Sequence, residues 1–300
     1  MGAGKIEELA GLFDVPGCVS VVKGLGGLAM LKVRTPWSMA EIFLHGAHVT
    51  QFQKTNEPPI LWLSMESRFE EETAIRGGIP IIFPWFGARE GKPAHGFARV
   101  KTWDLMEVTK TASGAVKVHL RLPECAEAAE FGPITVDYIV TVGDKLELQL
   151  IAANASPDRE VSFEVCLHSY FAVGDIDAAS VIGLKGAQYL DKVAGFTEHL
   201  EADEAILVKS EVDRVYLNTA AAVEIHDEKL RRKIRVEKEG SASTVVWNPW
   251  IEKSKAMADF GDEEYREMVC VEAGNVGKNK ITLGPGKNGA MTVRLSSAAY

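Results

Sequence analysis

Cysteine is scarce in this chain. Four stand in 300 residues, at positions 18, 125, 166 and 270, with no CxxC pair among them. Spacing that wide speaks against a disulfide framework or a cysteine-based zinc module and fits reduced thiols in the cytoplasm. Basic charge is lacking too. Lys and Arg number 33 against 42 Asp and Glu, a formal net charge of −9. Nucleic acid is therefore not expected as a partner, because binding a phosphate backbone needs a basic face. No apolar run approaches the ~20 residues of a membrane helix. The opening MGAGKIEELAGLF lacks a basic-then-apolar signal pattern. Nucleotide and hydrolase signatures are missing as well: Gly24-Leu25-Gly26-Gly27-Leu28-Ala29 is not GxGxxG, and there is no P-loop and no GxSxG elbow. His45 and His48 have no HExxH context, so a metal is not expected there.

What the chain does have is period-two alternation. Lys117 to Leu122 alternates cleanly, as do Val136, Tyr138, Val140 and Val142, followed after Gly143-Asp144 by Leu146, Leu148 and Leu150. A Gly-Asp pair between two such runs predicts a two-residue hairpin turn. Further strands are expected at 161–171, 243–247, 268–273 and 291–296. Helical pattern is confined to 4–12 and a short piece within 252–268. With no linker, repeat or low-complexity tract, residues 1–300 read as a single all-β domain, an antiparallel sandwich or barrel.

The stretch from Arg76 to Arg99, RGGIPIIFPWFGAREGKPAHGFAR, stands apart. Pro80 and Pro84 break its apolar run, and proline is confined to sheet edges and bulges. Arg76, Arg89, His95 and Arg99 frame irregular apolar backbone, which suits the rim of a small-molecule site as well as it suits a buried connection. In VSFEVCLHSYF (161–171), Ser162, Glu164, Cys166, His168 and Tyr170 share the less apolar face. His168 there is either a half-buried histidine with one satisfied hydrogen bond or a general acid or base. Glu272 is a lone carboxylate in the apolar run Met268 to Ala273. It is either a solvent-face residue or a desolvated base of raised pKa. Asp213 is a third polar candidate, with a salt-bridged surface aspartate as its plainer reading. Trp247 and Trp250 supply aromatic surface that stacks on sugars or simply packs. The basic run Lys229–Lys233 reads as a solvated face.

Together these segments resemble the glucose-6-phosphate 1-epimerase (hexose-6-phosphate mutarotase) family, a branch of the aldose 1-epimerase or galactose-mutarotase-like proteins. The resemblance is carried by GAHVTQF (46–52), RGGIPIIFPWFG (76–87), HGFAR (95–99), LHSYFAVGDI (167–176), DRVYLN (213–218), VVWNPWIEKSKAMADF (245–260) and VCVEAGNV (269–276). It implies a large twisted antiparallel β-sandwich of the galactose-mutarotase type. By position it implies His168 as general acid, Glu272 as general base and Asp213 as a sugar-hydroxyl ligand. Arg76 and Arg99 match the arginines that bind the phosphate, and His95 lies at the same rim. Relatives often carry a polar residue before the HG motif where this chain has Ala94. The implied activity is interconversion of the anomers of a hexose 6-phosphate by acid/base ring opening, with no metal or other cofactor, in a cytoplasmic monomer. An epimerase of unphosphorylated sugars and a non-catalytic carbohydrate-binding protein are the alternatives. The arginine pair discriminates against the first, and the His168 and Glu272 pair against the second.

Overall fold

The computed structural model describes residues 3–300. Alternation in the sequence becomes two large antiparallel sheets facing one another, as expected for a sandwich. Ile134–Val142 and Leu146–Asn154 show the reason. Each buries every second residue, and their apolar positions pair across the strands in register, Val140 with Leu148 and Val142 with Leu146. The turn between them therefore holds three residues, Gly143 to Lys145, and not the two expected. A two-residue turn would set Lys145 opposite Val142 and flip the whole second strand onto the wrong face. The Gly143 N–H donates to the Lys145 carbonyl instead (3.0 Å).

These strands belong to a nine-stranded sheet that ends with Asp104–Lys110 on one edge and Ala205–Ile206 on the other. Its inward residues, among them Val118, Val140, Leu148, Ile234 and Val293, pack on those of an eight-stranded sheet, such as Val246, Val269, Val271, Leu167 and Ile81. Fully burying such a side chain is worth about 1.5–3 kcal/mol, so this shared core dominates the stability. A four-stranded meander, Val19 to Lys54, carries the helix Ala3–Phe13, which agrees with the helix expected at 4–12. The piece expected within 252–268 is a short helix, Trp250–Ala256, followed by a 3₁₀ turn, Glu264–Glu267. Arg232 corrects the reading of Lys229–Lys233 as a solvated face. It is buried beside Asp227 and donates to the carbonyls of Pro58 and Ala172.

The eight-stranded sheet is covered on both sides. Every residue of Ser243–Asn248 and Met268–Asn275 is buried. Along the second strand Val269, Val271 and Ala273 enter the core between the sheets, and the alternate residues Met268, Cys270 and Glu272 face outward. The expected strand 161–171 is split into Val161–Phe163, Val165–Leu167 and Tyr170–Ala172. Its first piece pairs with Ile281–Leu283, and the other two pair with Met268–Asn275. The split does not shift the register. Leu167 faces Ala273 and Tyr170 faces Cys270, so His168 falls opposite Glu272.

Within the Arg76–Arg99 stretch only Ile81–Ile82 is regular strand. The rest folds back on itself. Phe97 N–H and Ala98 N–H both donate to the Phe83 carbonyl, and His95 N–H to that of Gly87. Gly96 makes this approach possible: its φ is +75°, and a Cβ there would stand 1.9 Å from the Phe83 oxygen. Gly96→Ala is expected to destabilise the protein by at least ~2 kcal/mol, from left-handed strain of ~1–2 kcal/mol plus the displaced carbonyl. Urea denaturation reads this as a lower midpoint at constant slope. An unchanged midpoint would show that the loop yields without loss.

Candidate active site

On the outward face of the eight-stranded sheet, neighbouring strands stack their side chains in rows. One row runs Val215, Val245, Glu272 and His168, and the next runs Asp213, Trp247, Cys270 and Tyr170. Cross-strand neighbours on one face lie within side-chain reach, and from these rows Glu272, His168, Asp213 and Trp247 form the floor of a cavity of about 270 Å³, while Cys270 and Tyr170 pack in a neighbouring apolar cluster. The Arg76–Arg99 stretch builds its wall, contributing Arg76, Phe86, Ala94, His95 and Arg99. Lys192, Lys253 and Met257 close the rim. All six site residues singled out from the sequence therefore meet in one cleft, although 196 positions separate Arg76 from Glu272.

His168 Nε2 lies 3.3 Å from Glu272 Oε1. The imidazole stacks on Tyr170 at 4.7 Å and meets the edge of Trp247 at 6.0 Å, while its Nδ1 has no hydrogen-bond partner. Glu272 is 1% exposed, which overturns its solvent-face reading. Its second oxygen accepts the Cys166 thiol at 3.4 Å. Room for that thiol comes from Gly274, whose missing Cβ would sit 2.9 Å from the sulfur. Burial holds the His168 pKa well below the ordinary value, helped by His95, Arg99 and Arg76. Burial raises that of Glu272 well above the ordinary carboxylate, helped by Asp213 and opposed by Lys192 and the Cys166 S–H. Both directions disfavour a separated imidazolium–carboxylate pair in the free protein. They favour a neutral imidazole facing a carboxyl that keeps its proton, so the two groups hold one proton between them.

The charges around this pair are nearly balanced. Arg76 forks onto Asp259 (3.1 and 3.2 Å) and donates to the Tyr170 hydroxyl (3.0 Å). Lys192 pairs with Asp213 at 2.8 Å and lies over the Phe86 ring, and Lys253 pairs with Glu211 at 2.6 Å. Asp213 is thus salt-bridged as its plainer reading had it, but it is buried at 7% exposure. Arg99 is the exception. It donates only to the Ala94 carbonyl, its Nε is buried without a partner, and no carboxylate among the described residues pairs with it. His95 accepts the Gly87 N–H on Nδ1, which puts its own proton on Nε2. Burial, and then Arg99 and Lys192, push its pKa down to about 3.

Other residues fall outside the cleft. Arg89 lies over Trp85 in a separate hollow, and Trp250 packs on Tyr265. His45 and His48 are tied separately to the carbonyls of Thr73 and Gly77. Among the described residues, one group of three metal-capable donors stands close together: His168, Cys270 and Glu272. Sequence reasoning missed Lys192, Lys253 and Asp259. The last two lie inside VVWNPWIEKSKAMADF, but nothing in that string marks them as facing the cleft.

The aldose 1-epimerase family profile matches residues 31–296. A protein of Cenchrus ciliaris named "Putative glucose-6-phosphate 1-epimerase" is 38% identical over 289 residues, covering 92% of this chain and 87% of that protein. One of the same name from Escherichia coli is 37% identical over 252 residues, covering 83% of each. Among solved structures, a "putative mutarotase" from Salmonella typhimurium superposes with a TM-score of 0.88 at 32% identity, covering 96% of both chains. A galactose mutarotase-like protein from Clostridium acetobutylicum shares the fold at a TM-score of 0.70 and 14% identity, covering 94% of this chain and 98% of that one.

Burial, reinforced by the neighbouring cations, predicts the titration of two rings. Near pH 6, where an ordinary histidine is mostly protonated, His95 and His168 should remain neutral. His95 should gain its proton only as pH falls to about 3. Imidazole NMR resonances followed across this range provide the check. A transition of either ring between pH 6 and 7 contradicts the burial described.

Proposed function

The chain belongs to the aldose 1-epimerase family, and on that footing we propose that it interconverts the α and β anomers of a hexose 6-phosphate, chiefly glucose 6-phosphate. Glu272 takes the proton of the C1 hydroxyl while His168 protonates the ring oxygen. The C1–O5 bond opens to the aldehyde, rotation about C1–C2 exchanges its faces, and the ring closes with the two roles reversed. Closure restores the protons of both groups, and the 3.3 Å contact between them lets the shared proton move onto His168 before the ring opens. Asp213, steered by Lys192, accepts from a sugar hydroxyl, and Trp247 lends an apolar edge to the sugar.

Arg99 carries the 6-phosphate half of this reading. A half-buried cation without an anionic partner is costly, and this one, its Nε shut off from water, lines the cleft beside Arg76. A phosphate supplies the missing charge and a pair of oxygens that the planar guanidinium fork can hold bidentately. It also acts on the chemistry. Arg99 and Arg76 are among the groups that keep His168 neutral, so a dianion beside them raises the imidazole's affinity for the shared proton and prepares it to act as acid. A free hexose lacks that effect. The reading takes the chain as one cytoplasmic, monomeric domain. One core runs from Ile6 to Leu295.

Two-dimensional NMR exchange spectroscopy on glucose 6-phosphate and on glucose tests the proposal directly. Exchange with the phosphosugar should far exceed that with the free sugar. Comparable rates favour a free-sugar epimerase, and no exchange with either favours a binding protein. His168→Ala and Glu272→Gln should each lower exchange ~10²–10⁴-fold, the usual worth of a positioned proton transfer, without unfolding the protein. Near-normal exchange in both removes the acid/base assignment. Arg76→Ala combined with Arg99→Ala should lower kcat/KM for glucose 6-phosphate by about 10²-fold or more, as for a lost buried charge pair. Glucose should be little affected, and an unchanged ratio between the two sugars removes the phosphate role.

A further inference from the structure

We propose that His168, Cys270 and Glu272 form a binding site for a borderline-soft divalent cation, Zn²⁺ being the best match, and that its occupancy switches the epimerase off. The inhibitory half rests on the acid/base reading above, and the binding half rests on geometry alone.

Cys270 precedes Glu272 by two residues on the same strand, so both side chains leave the same face of the sheet, and His168 stands across from them. One donor atom from each lies within 4.8 Å of the other two. Zn–N and Zn–O bonds of about 2.0–2.2 Å at a tetrahedral angle place nitrogen and oxygen roughly 3.4 Å apart. His168 Nε2 and Glu272 Oε1 are already 3.3 Å apart. A Zn–S bond of about 2.3 Å asks for sulfur at roughly 3.6 Å from each. From separations of up to 4.8 Å, the Cys270 sulfur needs to close by about 1.2 Å at most, the scale of a side-chain adjustment.

The donors are otherwise little committed. The Cys270 thiol makes no hydrogen bond to any described residue, and the buried His168 Nδ1 has no partner. The second oxygen of Glu272 is held by the Cys166 thiol, an outer contact of the kind that orients a ligating carboxylate. Thiolate, imidazole and carboxylate together select zinc over magnesium or calcium, which prefer all-oxygen shells. One thiolate and one carboxylate cancel the charge of the dication. Binding releases two protons to solvent, the thiol proton and the one that His168 and Glu272 share, in exchange for the metal–ligand bonds, with no change of oxidation state. His168 and Glu272 both line the cleft, so the fourth position falls to water or a sugar oxygen. With the imidazole lone pair and the carboxylate on a metal, neither group can move the proton on which ring opening depends.

Zinc titration of the whole protein by calorimetry, set beside anomer exchange on glucose 6-phosphate, tests both halves. Zinc should bind the native protein and abolish exchange, chelator should restore it, and magnesium should do neither. Cys270→Ala should keep its basal exchange and lose zinc affinity at least about 10-fold, with the inhibition weakened in step. Cys270→Ser, closer in size, serves if the alanine variant does not fold. Cobalt gives a reading independent of activity: its thiolate charge-transfer band should appear in the native protein and vanish in both variants. Equal zinc affinity with and without the thiol overturns the site, as does the absence of binding. Binding that leaves exchange intact overturns the inhibitory half. Thiol-dependent binding in a protein that exchanges no sugar keeps the metal site and removes the epimerase reading.

Discussion

The chemistry of this protein depends on one strand pairing. Val165–Leu167 and Tyr170–Ala172 lie antiparallel to Met268–Asn275 in a single continuous register, and that register alone sets His168 opposite Glu272. A slip of one residue would turn Glu272 into the core between the sheets and bring Val271 to the cleft. The valines and alanine that alternate with Glu272 are what prevent the slip, because each is buried in the common core. Hydrophobic packing between the sheets thus holds two polar groups at proton-transfer distance on the opposite face.

Burial then determines what those groups can do. A carboxyl and an imidazole enclosed by Tyr170, Trp247 and the sheet cannot both be charged without strong compensation, which is why their pKa values move in opposite directions. The surrounding cations are likewise compensated. Arg76 is held by Asp259, Lys192 by Asp213 and Lys253 by Glu211. Arg99 is left over, and the cleft is electrostatically complete only with an anion beside it. That single imbalance links substrate choice to catalysis in the proposed mechanism, since the charge that recognises a phosphate also governs the acid.

Much of this was legible in advance, for identifiable reasons. The strands over Val136 to Val142 and Leu146 to Leu150 follow from alternation, which reflects which face of a sheet is buried. The helix at 4–12 follows from its 3.6-residue pattern. The turn at Gly143-Asp144 was misjudged by one residue because turn chemistry is local, whereas the register that overruled it comes from the partner strand. The strand at 161–171 was expected whole and is interrupted, yet the facing of Cys166, His168 and Tyr170 was read correctly because the interruption leaves the register unshifted. Arg232 was misread because a basic run looks solvated until Asp227 and two carbonyls are found around its guanidinium.

By itself the sequence determined the all-β class, the family, and which residues were candidates for acid, base and anion ligand. Each of these is written in periodicity or in blocks of consecutive residues. Only the tertiary structure decided that six residues scattered from Arg76 to Glu272 share one cleft. It also decided that Glu272 is buried, that Asp213 is tied to Lys192, and that Arg99 lacks the partner Arg76 possesses. Those facts concern distances between segments far apart in the chain. The folded core sets such distances, and no local pattern encodes them.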